Sequence, residues 1–125
     1  MQVPENLVYT DEHEWIEQRE NVVRLGITDY AQDQLGDIVY VELPDVGKTV
    51  AKNDILVEVE STKSVGEVYA PVAGRISAVN AAVAENPELV NTSPYGEGWL
   101  VEIETDSPFE ASGLLDATGY RDLTE

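Results

Sequence analysis

Cysteine is absent from this sequence, and histidine occurs once, as His13. The first absence excludes thiol nucleophiles, disulfides and Cys/His zinc sites among the chain's own residues. Any sulfur redox chemistry must therefore come from an attached group. The single imidazole, in His13-Glu14-Trp15 near the start of a strand, reads as a structural or partly buried group rather than a catalytic base. Cations are scarce too: seven Lys and Arg stand against 25 Asp and Glu, a net charge of −18. Such a surface repels phosphate backbones and anionic bilayers, so neither nucleic acid nor membrane is an expected partner. The same charge serves solubility, suits a high-salt interior, and can steer docking onto basic protein faces. No apolar run is long enough to span a bilayer. Met1 to Leu7 lacks the basic and apolar regions of a secretory signal. Neither a Ser/His/Asp set nor a phosphate-binding glycine loop is recognisable, so an enzyme with its own active site is not expected.

What is present is period-two alternation. In Ile55-Leu56-Val57-Glu58-Val59-Glu60, the residues Ile55, Val57 and Val59 share one face, while Glu58 and Glu60 share the other. Leu100 to Glu104 alternates likewise, with Val101 and Ile103 inward. Val22–Ile27, Ile38–Leu43, Val68–Tyr69 and Arg75–Val79 are further strands, punctuated by glycines. Two helices are expected. One runs from the capping residue Thr28 to Leu35 and stops at Gly36. The other covers Ser107 to Leu115, with Pro108 in its first turn and Phe109 and Leu114 as core contacts. No linker divides the chain, which predicts one domain over residues 1–125. Val50–Val57 echoes Val83–Val90, with five of eight positions identical at an offset of 33 residues, which suggests two pseudo-twofold halves.

One reversal stands out between two strands. Small and polar residues, Ser61, Thr62 and Ser64, surround Lys63, the only cation of the turn. Lys52 and Arg75 are the nearest others. A lysine that other enzymes must find and load needs a rigid support and small neighbours. Glu60 and Glu67 flank the turn as docking carboxylates or as solvated edge acids.

Glu60-Ser61-Thr62-Lys63-Ser64-Val65, followed by Tyr69-Ala70-Pro71-Val72-Ala73-Gly74, resembles the lipoylation signature of the glycine cleavage system H protein family. The likeness runs nearly end to end. It includes Tyr9–Trp15, then Gly26–Gln32 with Leu35–Pro44, and finally Asn91–Leu100, in family order and spacing. It implies a mainly β barrel-sandwich hybrid of the lipoyl/biotinyl-domain type, with pseudo-twofold halves and short flanking helices. It also implies that Lys63 carries lipoate in amide linkage.

The arm would visit three enzymes. A pyridoxal-phosphate glycine decarboxylase loads an aminomethyl group, a tetrahydrofolate-dependent aminomethyltransferase unloads it, and a dihydrolipoamide dehydrogenase reoxidises the dithiol. A lipoate-attaching enzyme is the fourth partner. The resemblance further implies a monomeric carrier in a bacterial cytoplasm, or in a mitochondrial matrix for a mature eukaryotic chain. Glu14 and the helix carrying Gln34 would border a cleft that shelters the loaded arm. There Glu14 either holds the aminomethyl ammonium or is a plain surface acid. Some relatives carry histidine where Gln34 stands, and Ser-Asp in place of Gly66-Glu67. Gln34 can hydrogen-bond an amine but cannot titrate.

Biotin carriers flank their lysine with methionines, unlike Thr62 and Ser64. Lipoyl domains of 2-oxo acid dehydrogenases show Asp-Lys-Ala and lead into a linker, whereas this sequence reads Thr-Lys-Ser and ends at Glu125. A lipoate-relay role on the same fold is the remaining alternative.

Overall fold

The computed structural model describes residues 2–105 and 114–124. Along them lie β1 (Val8–Tyr9), β2 (Glu14–Arg19), β3 (Val22–Ile27), α1 (Asp29–Leu35), β4 (Ile38–Glu42), β5 (Thr49–Val50) and β6 (Ile55–Ser61). There follow β7 (Val65–Tyr69), β8 (Gly74–Val79), α2 (Ala81–Glu85), α3 (Leu89–Thr92), β9 (Val101–Glu104) and α4 (Ala117–Thr124). The strands form two antiparallel sheets, one ordered β1-β2-β3-β9-β8-β5 and the other β4-β6-β7. The fold is thus mainly β with short helices, a barrel-sandwich of the lipoyl-domain type.

Alternation explains how the sheets meet. Val101 and Ile103 are buried and the alternating Glu102 and Glu104 are not. They join Val23, Leu25 and Ile76 of the larger sheet in one apolar cluster with Val41, Val57, Val59 and Val68 of the smaller. Each fully buried aliphatic side chain here stabilises the sandwich by about 1.5–3 kcal/mol relative to exposure. A second cluster, built on Tyr9, Trp15, Ala117 and Tyr120, seats the C-terminal helix against β1. Tyr9 and Tyr120 stack with ring centroids 4.7 Å apart.

Two bulges correct the simple alternation. Ile55 was expected to face inward with Val57 and Val59, yet it is 50% exposed, and Leu56 is buried instead. The register of β6 on β7 slips between Ile55 and Val57, so Leu56 is an extra residue and the side-chain phase reverses at that point. The same happens in β4 between Ile38 and Tyr40, which leaves Val39 and Tyr40 outside.

The first expected helix forms as read. The Thr28 hydroxyl caps it by accepting from the Ala31 N–H at 3.1 Å, and Gly36 ends it at φ +82°, a region natural for glycine. Most of the second, Ser107–Leu115 with Phe109, lies outside the described residues. Leu115 itself pairs with Tyr9 as an isolated bridge, and Leu114 packs on the main core. Helices α2, α3 and α4 were not expected.

The eight-residue echo is not a structural repeat. Val50–Val57 runs strand, turn, strand, with Asn53 at φ +75°, whereas Val83–Val90 joins two helices through Asn86 at φ −129°. Pro87 stands where Asp54 is. Asp54 closes its turn by accepting from the Ala51 N–H and by donating its own N–H to the Ala51 carbonyl. Proline can do neither.

Gly26 lies opposite Trp15 across β2 and β3, and a Cβ there would sit 2.7 Å from the indole Nε1. That indole N–H also donates to the Pro94 carbonyl at 2.8 Å, which fixes the ring. Gly26→Ala is expected to cost about 1–3 kcal/mol through overpacking. Urea unfolding followed by tryptophan fluorescence checks this, with an altered native emission if the indole is displaced.

Candidate functional site

Lys63 stands in the reversal between β6 and β7, with its side chain exposed. The local sequence explains the turn. The Ser61 hydroxyl oxygen accepts from the N–H groups of Lys63 (3.3 Å) and Ser64 (3.0 Å) and donates to the Ser64 carbonyl. The Ser61 N–H donates to that carbonyl as well, at 2.8 Å. One small hydroxyl therefore ties the loop through its own backbone. Thr62 adds the tertiary anchor: its N–H donates to the Asp37 carbonyl, 3.1 Å away in the corner between α1 and β4. The aliphatic stem of Lys63 passes this corner, where a Cβ on Gly36 would lie 3.6 Å from its Cε. Leu35 closes on Gly66 from the same side.

The corner is held by Asn91, from α3. Its amide oxygen accepts from the Ile38 N–H at 2.9 Å, and its amide nitrogen donates to the Gly36 carbonyl and to Gln32 Oε1, each at 2.9 Å. Asn91 thus joins the end of α1 to the start of β4, on which the lysine turn leans. Sequence reasoning gave it no such role, because an asparagine before Thr92-Ser93-Pro94 looks like ordinary loop composition.

The outer face of the small sheet carries the remaining tip residues. Tyr40, Glu60 and Val65 lie directly opposite one another across the three strands, and Glu42, Glu58 and Glu67 form the next outward row. Tyr40 and Val65 are about half exposed, at 49% and 57%. Glu60 and Glu67 therefore share the face next to Lys63, Glu60 in a partly apolar row and Glu67 in an acidic one. Gln34 is exposed on α1.

Glu14 is elsewhere. It lines a cavity of about 720 Å³ with Thr10, Lys52, Tyr69, Pro71 and Leu115, a lining that includes neither Lys63 nor Gln34. The helix α1, expected to border a cleft with Glu14, contributes no residue to that wall; Gly119, Asp122 and Leu123 of α4 do. Glu14 is also far from being a surface acid, at 2% exposure. Its Oε2 accepts from the Tyr69 N–H at 2.6 Å and its Oε1 from the Thr10 hydroxyl at 3.3 Å. The oxygen of Thr10 itself accepts from the N–H groups of Glu12 and Glu14, which leaves its hydrogen free to point at the carboxyl. Burial pushes the Glu14 carboxyl up to about 7, with Glu12 and Asp11 adding to the rise and the two hydrogen bonds opposing it. Strand β7 connects the two places: it begins beside the lysine turn and ends with Tyr69 bonded to Glu14.

His13, at φ +68°, bonds the Tyr120 hydroxyl through Nδ1 at 2.8 Å and packs on Tyr30. That hydroxyl also lies 2.7 Å from the Thr28 hydroxyl at the cap of α1. Burial pushes the imidazole below its ordinary value, and Glu12 and Asp11 oppose this. It is a half-buried bracket between α4 and α1, as its sequence context suggested.

Two outcomes follow from this geometry. Asn91→Ala strands the Ile38 N–H and the Gly36 carbonyl, and is expected to cost about 2–3 kcal/mol. Hydrogen exchange should show the Thr62 amide losing protection, because its Asp37 acceptor sits in the loosened corner. Glu14 generates a pH dependence. A carboxyl whose folded-state pKa is raised to about 7 from 4.5 binds its proton more tightly in the native state. Its contribution is complete below the lower value and is lost as pH rises through the upper. The neutral Glu14→Gln chain should therefore gain about 2 kcal/mol on wild type between pH 5 and pH 8, read from paired urea titrations.

Comparison with known proteins gives these features a family. Residues 7–125 match the family model described as glycine cleavage H-protein. The chain is 56% identical to the glycine cleavage system H protein of Mycolicibacterium smegmatis over 124 residues, which cover 96% of this chain and 95% of that one. It is 46% identical to the protein of the same name from Listeria monocytogenes, and each chain is covered completely. Its structure resembles the crystal structure of a glycine cleavage system H protein from Mycobacterium marinum, with a TM-score of 0.87, 40% identity, and 96% and 97% of the two chains covered. With a signature lysine on a braced hairpin, and with sequence and fold matching over nearly its whole length, the chain belongs to the glycine cleavage H-protein family.

Proposed function

We propose that this chain is the lipoyl-bearing shuttle of a glycine cleavage system, a carrier and not an enzyme, with lipoate joined by an amide to Lys63. The observation that carries this reading is the braced exposure of Lys63: an accessible primary amine on a turn fixed by the Ser61 hydroxyl and the Thr62–Asp37 bond. The residues suit the group. Thr62 and Ser64 are small and exposed, Gly36 leaves the lysine stem unobstructed, and a lipoate-attaching enzyme can reach the amine without unfolding the hairpin. When bound, the lipoyl group supplies the sulfur chemistry that this cysteine-free chain lacks.

The chain's own part is to present, steer and shelter. Glu60 and Glu67 share the outward face with Tyr40 and Val65, next to the loading point. On a chain of net charge −18, that face favours basic surfaces on the decarboxylase, aminomethyltransferase and dihydrolipoamide dehydrogenase. Tethering then makes each docked encounter effectively intramolecular. An arm folded back along β7 points its far end toward the Glu14 cavity, whose apolar walls and single buried carboxyl suit a cargo with an apolar body and an amine tip. Gln34, exposed on α1, stands outside that lining and serves as a polar neighbour of the tip at most. The setting we infer is a bacterial cytoplasm and the working form a monomer. The relatives from Mycolicibacterium smegmatis and Listeria monocytogenes are bacterial proteins, which supports that setting.

Co-expression with a lipoate-attaching enzyme, followed by intact-mass measurement, should show a gain of one lipoyl group. Lys63→Arg should abolish that gain while leaving the thermal unfolding midpoint close to wild type. Gain on the arginine chain, or on another lysine, overturns the assignment. Glycine-dependent carbon dioxide exchange with glycine decarboxylase separates the shuttle from a pure lipoate relay, which would not support it.

A further inference from the structure

His13 is the only imidazole of the chain, and it stands at the end of a relay of hydroxyls. Its Nδ1 lies 2.8 Å from the Tyr120 hydroxyl on α4, and that hydroxyl lies 2.7 Å from the Thr28 hydroxyl. The Thr28 oxygen in turn accepts from the Ala31 N–H, the bond that caps α1. The backbone fixes both ends of the relay: the His13 N–H donates to the Thr10 carbonyl, and the Thr28 N–H donates to the His13 carbonyl. His13 stands at φ +68°, a region that few residues other than Asn, Asp and His adopt readily once Gly is set aside.

Counting hydrogens gives the relay a direction. Each hydroxyl has one hydrogen to donate. Thr28 is fully buried, and among the described residues the Tyr120 oxygen is the one acceptor its hydroxyl reaches. The Thr28 hydrogen therefore goes to Tyr120, the Tyr120 hydrogen goes to His13, and Nδ1 has to be bare. This assigns a neutral His13 with its proton on Nε2. A proton added at Nδ1 turns that nitrogen into a donor. Tyr120 must then accept from it and swing its own hydrogen to Thr28, and the Thr28 hydrogen is left in a closed cap with nothing to meet. A buried hydroxyl stripped of its acceptor is costly.

The charges around the ring are divided. Asp11 and Glu12, on its own loop, favour the cation, but burial prevails and holds the imidazole below its ordinary value. From α1 the ring meets Tyr30, with centroids 4.8 Å apart, and from α4 it meets the edge of Tyr120. The remaining charges of those elements are engaged elsewhere. Asp29 bonds Gln2 and Gln32, Asp116 bonds the Gly119 N–H, and Arg121 bonds Val3 and Glu5. Asp33 is exposed, and Asp122 lines the Glu14 cavity.

We propose that His13 is a proton-operated latch that ties the C-terminal helix to the cap of α1. Neutral, it closes the relay and holds α4 and α1 together. Protonated, it reverses the relay, strands the Thr28 hydroxyl and loosens both helices. The proton comes from water onto Nδ1; two O–H bonds rotate and none breaks. The unfolded imidazole takes up this proton more readily than the folded one. The contribution of the latch is therefore whole above the ordinary value of 6.5 and is lost as pH falls through the lower, folded value. Helix α1 runs from this cap to the corner whose Asp37 carbonyl takes the Thr62 N–H, so the latch and the lysine turn share one short brace.

The test uses the full chain and amide hydrogen exchange at about pH 5 and about pH 7.5, with rates corrected for intrinsic exchange. The Ala31 and Tyr120 amides should lose about threefold or more of their protection at the lower pH, beyond any change at the Leu100 amide of the core. His13→Asn places an acceptor where Nδ1 stands, tolerates the left-handed backbone and cannot titrate, so both amides should hold their protection throughout. Glu14 titrates in both chains, and its share cancels in the comparison. In the wild-type chain, imidazole nitrogen shifts should report a proton on Nε2 and a bare Nδ1. The ring should titrate below 6.5, over the interval in which protection falls. A neutral ring protonated on Nδ1, or a midpoint at or above 6.5, overturns the latch without recourse to any variant. Equal loss of protection in wild type and His13→Asn, or no loss in either, overturns it as well.

Discussion

The apolar interior shared by the two sheets fixes the register of β6, and the position of Lys63 follows from that register. Val57 and Val59 are sunk against Val23, Leu25, Ile76, Val101 and Ile103, so a slip of one residue would turn two glutamates into the core. With the strand held, Ser61 falls where its hydroxyl can close the reversal, and Lys63 falls on the outside of it. The bulge at Leu56 belongs to the same constraint. It lets the strand bury Leu56 and Val57 in succession and still emerge in phase at Glu58 and Glu60.

Rigidity of the tip does not come from the hairpin alone. A two-stranded ribbon is marginal by itself. Here β6 is central, with β4 on its other side, and the corner between α1 and β4 is clamped by three hydrogen bonds from Asn91. The turn then borrows that corner through Thr62. Support is thus passed from α3 to a side-chain amide, to a loop carbonyl, to the turn that holds Lys63. Exposure of the amine and firmness of its base coexist because different residues provide them.

Much of this was legible in the sequence, and the illegible parts have physical reasons. Alternation at Val101–Glu104 gave the facing of β9, and Thr28 with Gly36 marked both ends of α1, because each signal is local. The bulges left no mark, since an extra residue in a strand changes pairing without changing composition. Helices α2 and α3 have five and four residues and survive on caps and packing, such as the Asn80 side chain bonding the Ala82 N–H, rather than on a helical period. The echo between Val50 and Val83 misled because identity at five positions counts less than one left-handed asparagine and one proline. The exposed turn around Lys63 was legible through its small polar residues. The burial of Glu14 was not, because one more acid among 25 carries no sign of its environment.

The bond from Glu14 to the Tyr69 N–H has a consequence for the company this protein keeps in solution. Strand β7 borders the small sheet, and a border strand offers free amides and carbonyls to any extended segment that drifts past. At Tyr69 the amide is already occupied by a side chain from the opposite sheet. That donor is closed to a passing strand. The contact that buries a carboxyl on one sheet thus also caps a donor on the margin of the other, and offers a second copy of the chain one point of attachment fewer.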